Sequence, residues 1–298
     1  MIDSKVFVPP LKIQGIKTKL VPMIKENVVL ENDTVWIEPF MGSGVVGFNI
    51  APYNAVFADI NPHIINFYKQ IQDGIITPNI VRTFLEIEGE KLLKGDVEHY
   101  LYVRERFNKE HNPLDFLFLN RCCFNGMMRF NKNNNFNVPY GHKPERFAKA
   151  YITKITNQVE YVTKKITSNN WIFLCQPFEK TISIANSNSF VYCDPPYIGR
   201  HVDYYDSWDE LNEYKLCECL LNSNTKFMLS TWEHTQYREN EYIKKIWGFC
   251  DIKTKEHFYH IGAKEINRNS VTEALLMNYK PFDNSNRTLT SNEQLILF

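Results

Sequence analysis

Residues 34–59 constrain the fold more than any other stretch of this 298-residue chain. Thr34-Val35-Trp36-Ile37-Glu38 reads as a strand, Pro39-Phe40-Met41-Gly42-Ser43-Gly44 as a turn, and Val45-Val46-Gly47-Phe48 as the apolar start of a helix. A second strand, Ala55-Val56-Phe57-Ala58, then runs into Asp59-Ile60-Asn61-Pro62. Strand, helix and strand in that order form a βαβ unit, whose strands lie parallel in one sheet. The glycine turn lets a backbone approach a ligand closely, although the third glycine is misplaced for the dinucleotide-binding fingerprint. An isolated Asp after a strand usually caps a helix. At about 20 residues past a glycine loop, Asp59 is instead placed to accept hydrogen bonds from ribose hydroxyls.

The same pattern returns later. Trp171-Ile172-Phe173-Leu174-Cys175 and Ser189-Phe190-Val191-Tyr192-Cys193 are apolar runs of strand length. Beyond them come a helix near 211–221, a strand over 226–230, a helix near 242–247 and two terminal strands near 251–259 and 272–279. Between about residue 62 and residue 170 helical periodicity dominates instead, over 64–71, 80–93 and 100–107. The order is βαβ, an insertion, then alternating strands and helices, which predicts an α/β chain with a mostly parallel sheet.

Asp194-Pro195-Pro196-Tyr197 follows the strand that ends at Cys193, and ligands of open α/β sheets bind at that carboxyl edge. A carboxylate, two rigid carbonyl-bearing residues and an aromatic face in one turn suit a flat amine. Asp194 would accept one hydrogen bond from the amine and the Pro195 carbonyl the other. That draws the delocalised lone pair towards a tetrahedral nitrogen as it attacks an electrophilic methyl group. Proline fixes the backbone before substrate arrives, and Tyr197 would stack on the ring. No covalent intermediate and no metal is required. The alternative is a plain Asp-Pro turn after a core strand, yet at average composition the tetrapeptide arises in roughly one chain per thousand of this length. His201, Tyr204, Tyr205 and Trp208 follow closely, either closing over substrate or packing on their own scaffold.

The formal net charge is zero, so overall charge gives no support for a nucleic-acid partner. Charge is uneven, however: residues 120–170 carry nine Lys or Arg against two Glu. Within that segment, residues 124–141 are rich in asparagine and aromatics around Gly126, the turn chemistry of a hairpin. Arg129 and asparagines such as Asn125 and Asn137 are side chains that read guanine and adenine edges, and Met127 or Pro139 can wedge between base steps. Tyr140 and Lys143 complete the expected DNA face; a low-complexity surface loop is the alternative. Near the start, Pro-Pro precedes a lysine-rich entry into a helix, where lysines and free amides can together hold an anion such as a carboxylate; solvated lysines on a helix face are the alternative.

The seven cysteines include adjacent Cys122 and Cys123 and no Cys-x-x-Cys pattern, which predicts reduced thiols in a cytoplasm. Cys217 and Cys219 lack a second ligand pair and read as helix packing. No apolar run reaches the roughly 18 residues of a spanning helix, and the first five residues lack the apolar core of a signal peptide.

Taken together these stretches resemble the D12 class of DNA adenine-N6 methyltransferases, the Dam-like family. The resemblance covers about residues 6–280 and rests on six motifs in the family's order. They are Lys12-Ile13-Gln14-Gly15-Ile16-Lys17, Glu38-Pro39-Phe40-Met41-Gly42-Ser43-Gly44, Asp59-Ile60-Asn61, Phe124-Asn125-Gly126 with Arg129, Phe136-Asn137-Val138-Pro139-Tyr140-Gly141, and Asp194-Pro195-Pro196-Tyr197. Ile13 and Met128 depart from the common pattern.

The resemblance implies a Rossmann-like methyltransferase sheet over 1–62 and 170–282 and an inserted, mainly helical DNA target-recognition domain over 63–169; the polar composition after 282 predicts a flexible tail over 283–298. It implies S-adenosylmethionine as cofactor, S-adenosylhomocysteine as product, and double-stranded DNA as substrate. The cofactor would lie against Ile13, Gln14, Gly15, Lys17, Glu38, Pro39, Phe40, Gly42, Ser43, Gly44, Asp59, Ile60, Phe178 and Asp194, with Lys17 on its carboxylate. Val6-Phe7-Val8-Pro9-Pro10 and residues 197–204 look most like modification methylases of restriction–modification systems that act on the first adenine of GATATC, with GATC as the competing site. A cognate restriction endonuclease, acting independently, would accompany such an enzyme. RNA or protein-glutamine methylation, and a non-catalytic DNA-binding module, are the rival readings. The terminal Gln294-Leu295-Ile296-Leu297-Phe298 resembles the short peptide that docks on bacterial sliding clamps; leucines packed on a sheet edge are the alternative.

Overall fold

A computed structural model describes residues 5–198, 208–235, 237–258 and 270–280. His201, Tyr204, Tyr205 and the peptide 294–298 lie outside the described residues.

The βαβ unit forms as its sequence predicts: β1 (Val35–Glu38), α2 (Val45–Ile50) and β2 (Asn54–Asp59), preceded by a short α1 (Val21–Asn27). The insertion follows as α3 (Pro62–Gln72), α4 (Pro78–Glu110), α5 (Pro113–Cys122) and α6 (Lys149–Ser168). The chain then runs through β3 (Asn170–Cys175), α7 (Phe178–Ile182), β4 (Ser189–Cys193), α8 (Glu210–Asn222), β5 (Lys226–Thr235), α9 (Glu241–Ile246), β6 (Asp251–Phe258) and β7 (Ser270–Met277). The seven strands lie in the order β3-β2-β1-β4-β5-β7-β6. The first five in that order are parallel, and β7 runs antiparallel to both of its neighbours.

Period-two alternation sorts each strand between two cores. Trp36, Phe57, Phe173 and Tyr192 face one side; Ile37, Val56, Val191 and Leu229 face the other. Trp36, Phe57 and Tyr192 are fully buried, each contributing about 1.5–3 kcal/mol by area. The first core continues without a break into α3–α6, so the insertion packs on the sheet rather than standing apart. On the other face α7–α9 cover the sheet, and Cys217 of α8 packs there as a small apolar group.

Three helices of the insertion start alike, with a polar cap followed by proline. Asn61 accepts from the His63 amide at 2.9 Å, Thr77 from Ile80 at 3.3 Å and Asn112 from Leu114 at 2.9 Å. Proline at the first helical position loses no hydrogen bond there. The expected helices over 80–93 and 100–107 are two segments of α4, which bends at Asp96 (φ 42°, ψ −118°). Across that bend buried Glu88 accepts from His99 at 2.9 Å, and Arg106 pairs in two-pronged fashion with buried Asp115 at 2.5 and 2.8 Å. Among the described residues no helix is long and apolar enough to cross a membrane.

Candidate active site

Strand order reverses between β1 and β4, which pair in parallel through Val35–Ser189, Trp36–Phe190 and Ile37–Val191. At such a switch point the loops leaving neighbouring strands diverge to opposite faces and open a crevice at the carboxyl edge. The glycine loop leaves β1 there and Asp-Pro-Pro-Tyr leaves β4. The two motifs are therefore neighbours in space, although about 150 residues separate them in sequence.

Gly42 and Gly44 both adopt left-handed φ angles (50° and 75°), and a Cβ on Gly44 would come within 2.7 Å of the Phe48 ring. The loop is tied down from behind. Met41 donates to the Ala58 carbonyl at 2.8 Å, and the Ser43 carbonyl accepts from the Tyr68 hydroxyl at 2.7 Å. Asp59 accepts from the Gly42 amide at 2.8 Å through one carboxyl oxygen and from the Asn61 amide at 2.9 Å through the other. Burial raises its carboxyl, and the Asn61, Gly42 and Ile60 amides pull it back down. Asp59 thus ends the second strand, holds the loop shape and fixes Asn61, the residue that caps α3.

Glu38 points the other way. It is 2 % exposed, accepts from the Trp36 indole at 2.9 Å, and burial pushes its carboxyl up to about 8. Phe40 and Phe178 stack at 5.4 Å, and Trp208 meets both edge-on or tilted at 5.5 and 5.6 Å. Trp208 is steadied by Glu213, which accepts from its indole at 2.6 Å and from Trp247 at 2.8 Å.

Asp194 is the hub. Its side chain is 21 % exposed, and the Lys17 ammonium, only 6 % exposed, lies 3.0 Å from one carboxyl oxygen. Ser230 donates to the other at 2.8 Å. Lys17 also donates to the Gly15 carbonyl at 2.7 Å and sits 4.9 Å from the centroid of the Tyr197 ring. Burial raises the Asp194 carboxyl, while Lys17 and Ser230 lower it and Glu273 adds to the rise. Pro195, Pro196 and Tyr197 line a small recess with Glu213, Thr231, Asn240 and Tyr242.

The segment that carries Lys17 is anchored to the insertion. The Lys12 amide donates to the Asn120 side chain at 2.8 Å, and that side chain returns a bond to the Lys12 carbonyl at 2.7 Å. Burial first, then Arg121, Arg146 and Lys154, lowers the Lys12 ammonium to about 8 against an opposing pull from Cys123. The loop over 124–141 closes through antiparallel bridges Cys123–Tyr140 and Phe130–Phe136, the expected hairpin in reduced form. Asn125 takes a left-handed φ of 54° in that loop. Arg129 donates through Nε to the Asn137 side chain at 2.9 Å, joining two of the expected base readers. Met127 and Asn137 are half-buried, while Pro139 and Lys143 are exposed. Tyr140 corrects the expectation: it is 5 % exposed and stacks on Tyr100 at 5.1 Å, supporting the loop from inside.

A profile of the D12 class of N6 adenine-specific DNA methyltransferases matches residues 14–261. The chain belongs to that class. It is 29 % identical to the type II methyltransferase M.MjaIII of Methanocaldococcus jannaschii over 303 residues, covering 91 % of this chain and 99 % of the relative. The type II methyltransferase M.FokI of Planomicrobium okeanokoites is also 29 % identical, but the match spans only 42 % of that protein's length against 91 % of this chain. The DNA adenine methylase of Haemophilus influenzae is 34 % identical over 197 residues, 63 % of each chain. Adenine-N6 methylation of DNA is the activity of the class, and the amine chemistry read from Asp194-Pro195-Pro196-Tyr197 agrees with it.

Ser230, Tyr192 and Glu213 escaped the sequence reading. Ser230 carried a signal: it is a hydroxyl directly after Phe227-Met228-Leu229 in a core strand, and buried hydroxyls need partners.

Proposed function

We propose that this chain methylates the first adenine of GATATC in duplex DNA as the modification enzyme of a restriction–modification system, with a separately acting endonuclease. The observation that carries the chemistry is the Asp194 carboxylate, held by Lys17 and Ser230 at the switch point beside the glycine loop. The site assignment is supported by the phrases at residues 6–10 and 197–204, and the system by the type II names of two relatives.

The loop suits S-adenosylmethionine through its backbone: the left-handed φ of Gly42 and Gly44 turns the chain tightly at the switch point, and a Cβ on Gly44 would strike the Phe48 ring and force that turn open. Gly42, Ser43 and Gly44 would hold the methionine part, Asp59 and Ile60 the ribose, and Phe40 and Phe178 the adenine. Ile13, Gln14 and Gly15 would flank it, and Lys17 its carboxylate. Glu38 would serve through its backbone, since its side chain is committed inside the fold. When bound, S-adenosylmethionine supplies an electrophilic methyl group. Asp194 accepts one N6 hydrogen and the Pro195 carbonyl the other, holding the nitrogen tetrahedral. Tyr197 stacks on the extruded base, and the proton lost from N6 leaves through Asp194.

Residues 63–169 form the target-recognition unit on this reading, with Asn125, Met127, Arg129, Asn137, Pro139 and Lys143 at the duplex and Tyr140 behind them. The peptide 294–298 docks on a bacterial sliding clamp in the cytoplasm; its deletion should abolish capture by purified clamp and leave methylation intact. Methylation-resolved sequencing of DNA from cells expressing the chain tests the site. Modification at GATATC supports it, and modification at every GATC overturns it in favour of a Dam-type specificity.

A further inference from the structure

We infer that Ser230, backed by Tyr192, is a positioning residue that fixes the Asp194 carboxylate in the orientation and charge state the reaction needs. The inference rests on the reading of Asp194 as the acceptor of the N6 hydrogen. Parallel pairing of β4 and β5 matches Tyr192 with Met228 and Cys193 with Leu229, so the next step sets Ser230 beside Asp194. Ser230 is fully buried and lies 2.8 Å from one Asp194 oxygen and 3.0 Å from the Tyr192 hydroxyl.

A serine has one hydroxyl proton. A carboxylate can only accept, so Ser230 donates to Asp194 and Tyr192 must donate to Ser230. Burial holds the Tyr192 phenol protonated, which keeps it a donor. The chain Tyr192→Ser230→Asp194 therefore has a fixed direction, and each link polarises the next. It is rigid at its far end: Trp36 stacks on Tyr192 at 5.7 Å, 16° from coplanar. With Lys17 on the other oxygen, both ends of the carboxylate are pinned, and each oxygen retains a lone pair.

Among the described residues, the titratable groups facing Asp194 are Lys17 before α1, Glu38 at the end of β1, Tyr192 and Cys193 in β4, and Glu273 in β7. Lys17 alone among these favours the charged carboxylate; Ser230 adds a neutral donor that does the same. Removing that donor makes the carboxylate easier to protonate, so the acid limb of activity moves to higher pH.

The test is the pH profile of the single-turnover methylation rate, which isolates chemistry from product release. A hydrogen bond to a charged group predicts that Ser230→Ala moves the acid limb up by about 1–2 pH units. The plateau rate should fall about tenfold as the carboxylate loses its orientation, with affinities for DNA and S-adenosylmethionine within about twofold of the parent. Tyr192→Phe should move the limb in the same direction by less. An acid limb that stays in place in Ser230→Ala, whatever its rate, overturns the inference; should that variant fail to fold, Tyr192→Phe decides by the same criterion. Asp194→Ala, which removes the acceptor oxygens, separates the two claims. If it keeps the parental rate, the acceptor reading of Asp194 fails; if it is inactive while Ser230→Ala has an unmoved limb, only the positioning role of Ser230 fails.

Discussion

Replacing Glu38 with Gln should make the protein more resistant to alkaline pH. Glu38 is buried beneath the glycine loop, with the Trp36 indole on one oxygen and the Gly47 amide beside it. Burial raises its carboxyl from 4.5 to about 8, and the nearby Asp194 charge adds to the rise. Between those values the native chain keeps a proton that the unfolded chain has lost. The associated stability is fully present below pH 4.5 and is lost as pH climbs through about 8. At about 1.4 kcal/mol per pH unit, the gap amounts to an upper limit on the order of 5 kcal/mol. A typical domain is stable by about 5–15 kcal/mol, so the loss is large. Gln keeps the shape and the bond from Trp36 and has no proton to lose. Urea denaturation of both proteins at pH 5, 7 and 9 checks this, because other titrating groups cancel in the difference. The advantage of Glu38→Gln should grow steadily with pH. Two parallel curves, with the variant weaker by the same amount throughout, would refute the reasoning and mean that Glu38 is ionised in the native state.

Two other perturbations follow from the same contacts. A Cβ on Gly47 would lie 2.1 Å from the Phe57 ring and 2.5 Å from Glu38, so Gly47→Ala should cost about 1–3 kcal/mol or more in thermal or urea unfolding. A variant as stable as the parent contradicts the packing of α2 on β2. Arg129 and Asn137 are joined by a 2.9 Å bond, so their Ala substitutions should be non-additive by about 0.5–3 kcal/mol in DNA discrimination. Methylation rates on cognate and single-mismatch duplexes measure this, and strict additivity denies the coupling.

What was legible in the sequence is local. Strands such as Ser189–Cys193 are apolar runs closed by turn chemistry, and their bounds survive in the structure to within a residue or two, except that the strand expected over 226–230 runs on to Thr235. The glycine loop and Asp-Pro-Pro-Tyr each announce the end of a strand. What was not legible depends on strand order. That Lys17 reaches Asp194, and that Ser230 stands beside it, follows from β4 lying between β1 and β5, which no local pattern encodes. The antiparallel course of β7 was hidden for the same reason. Tyr140 sits in an asparagine-rich, polar-looking loop, yet the stacking that buries it is supplied by Tyr100 on a distant helix. In the helix over Lys149–Ser168, Ile152, Ile155, Val159, Val162 and Ile166 recur at helical spacing and are buried, a local signal present in the sequence beneath the basic charge of that segment.

The central claim is that Asp194, pinned at the switch point, takes part in transfer of a methyl group to adenine N6. Its most direct test is mass spectrometry of nucleosides from unmethylated duplex DNA incubated with purified protein and isotopically labelled S-adenosylmethionine, for the parent and for Asp194→Ala. The account predicts labelled N6-methyladenine as the product of the parent, and at least a hundredfold less, roughly, from the variant. Label on cytosine, no label in DNA, or equal N6-methyladenine from both proteins would contradict it.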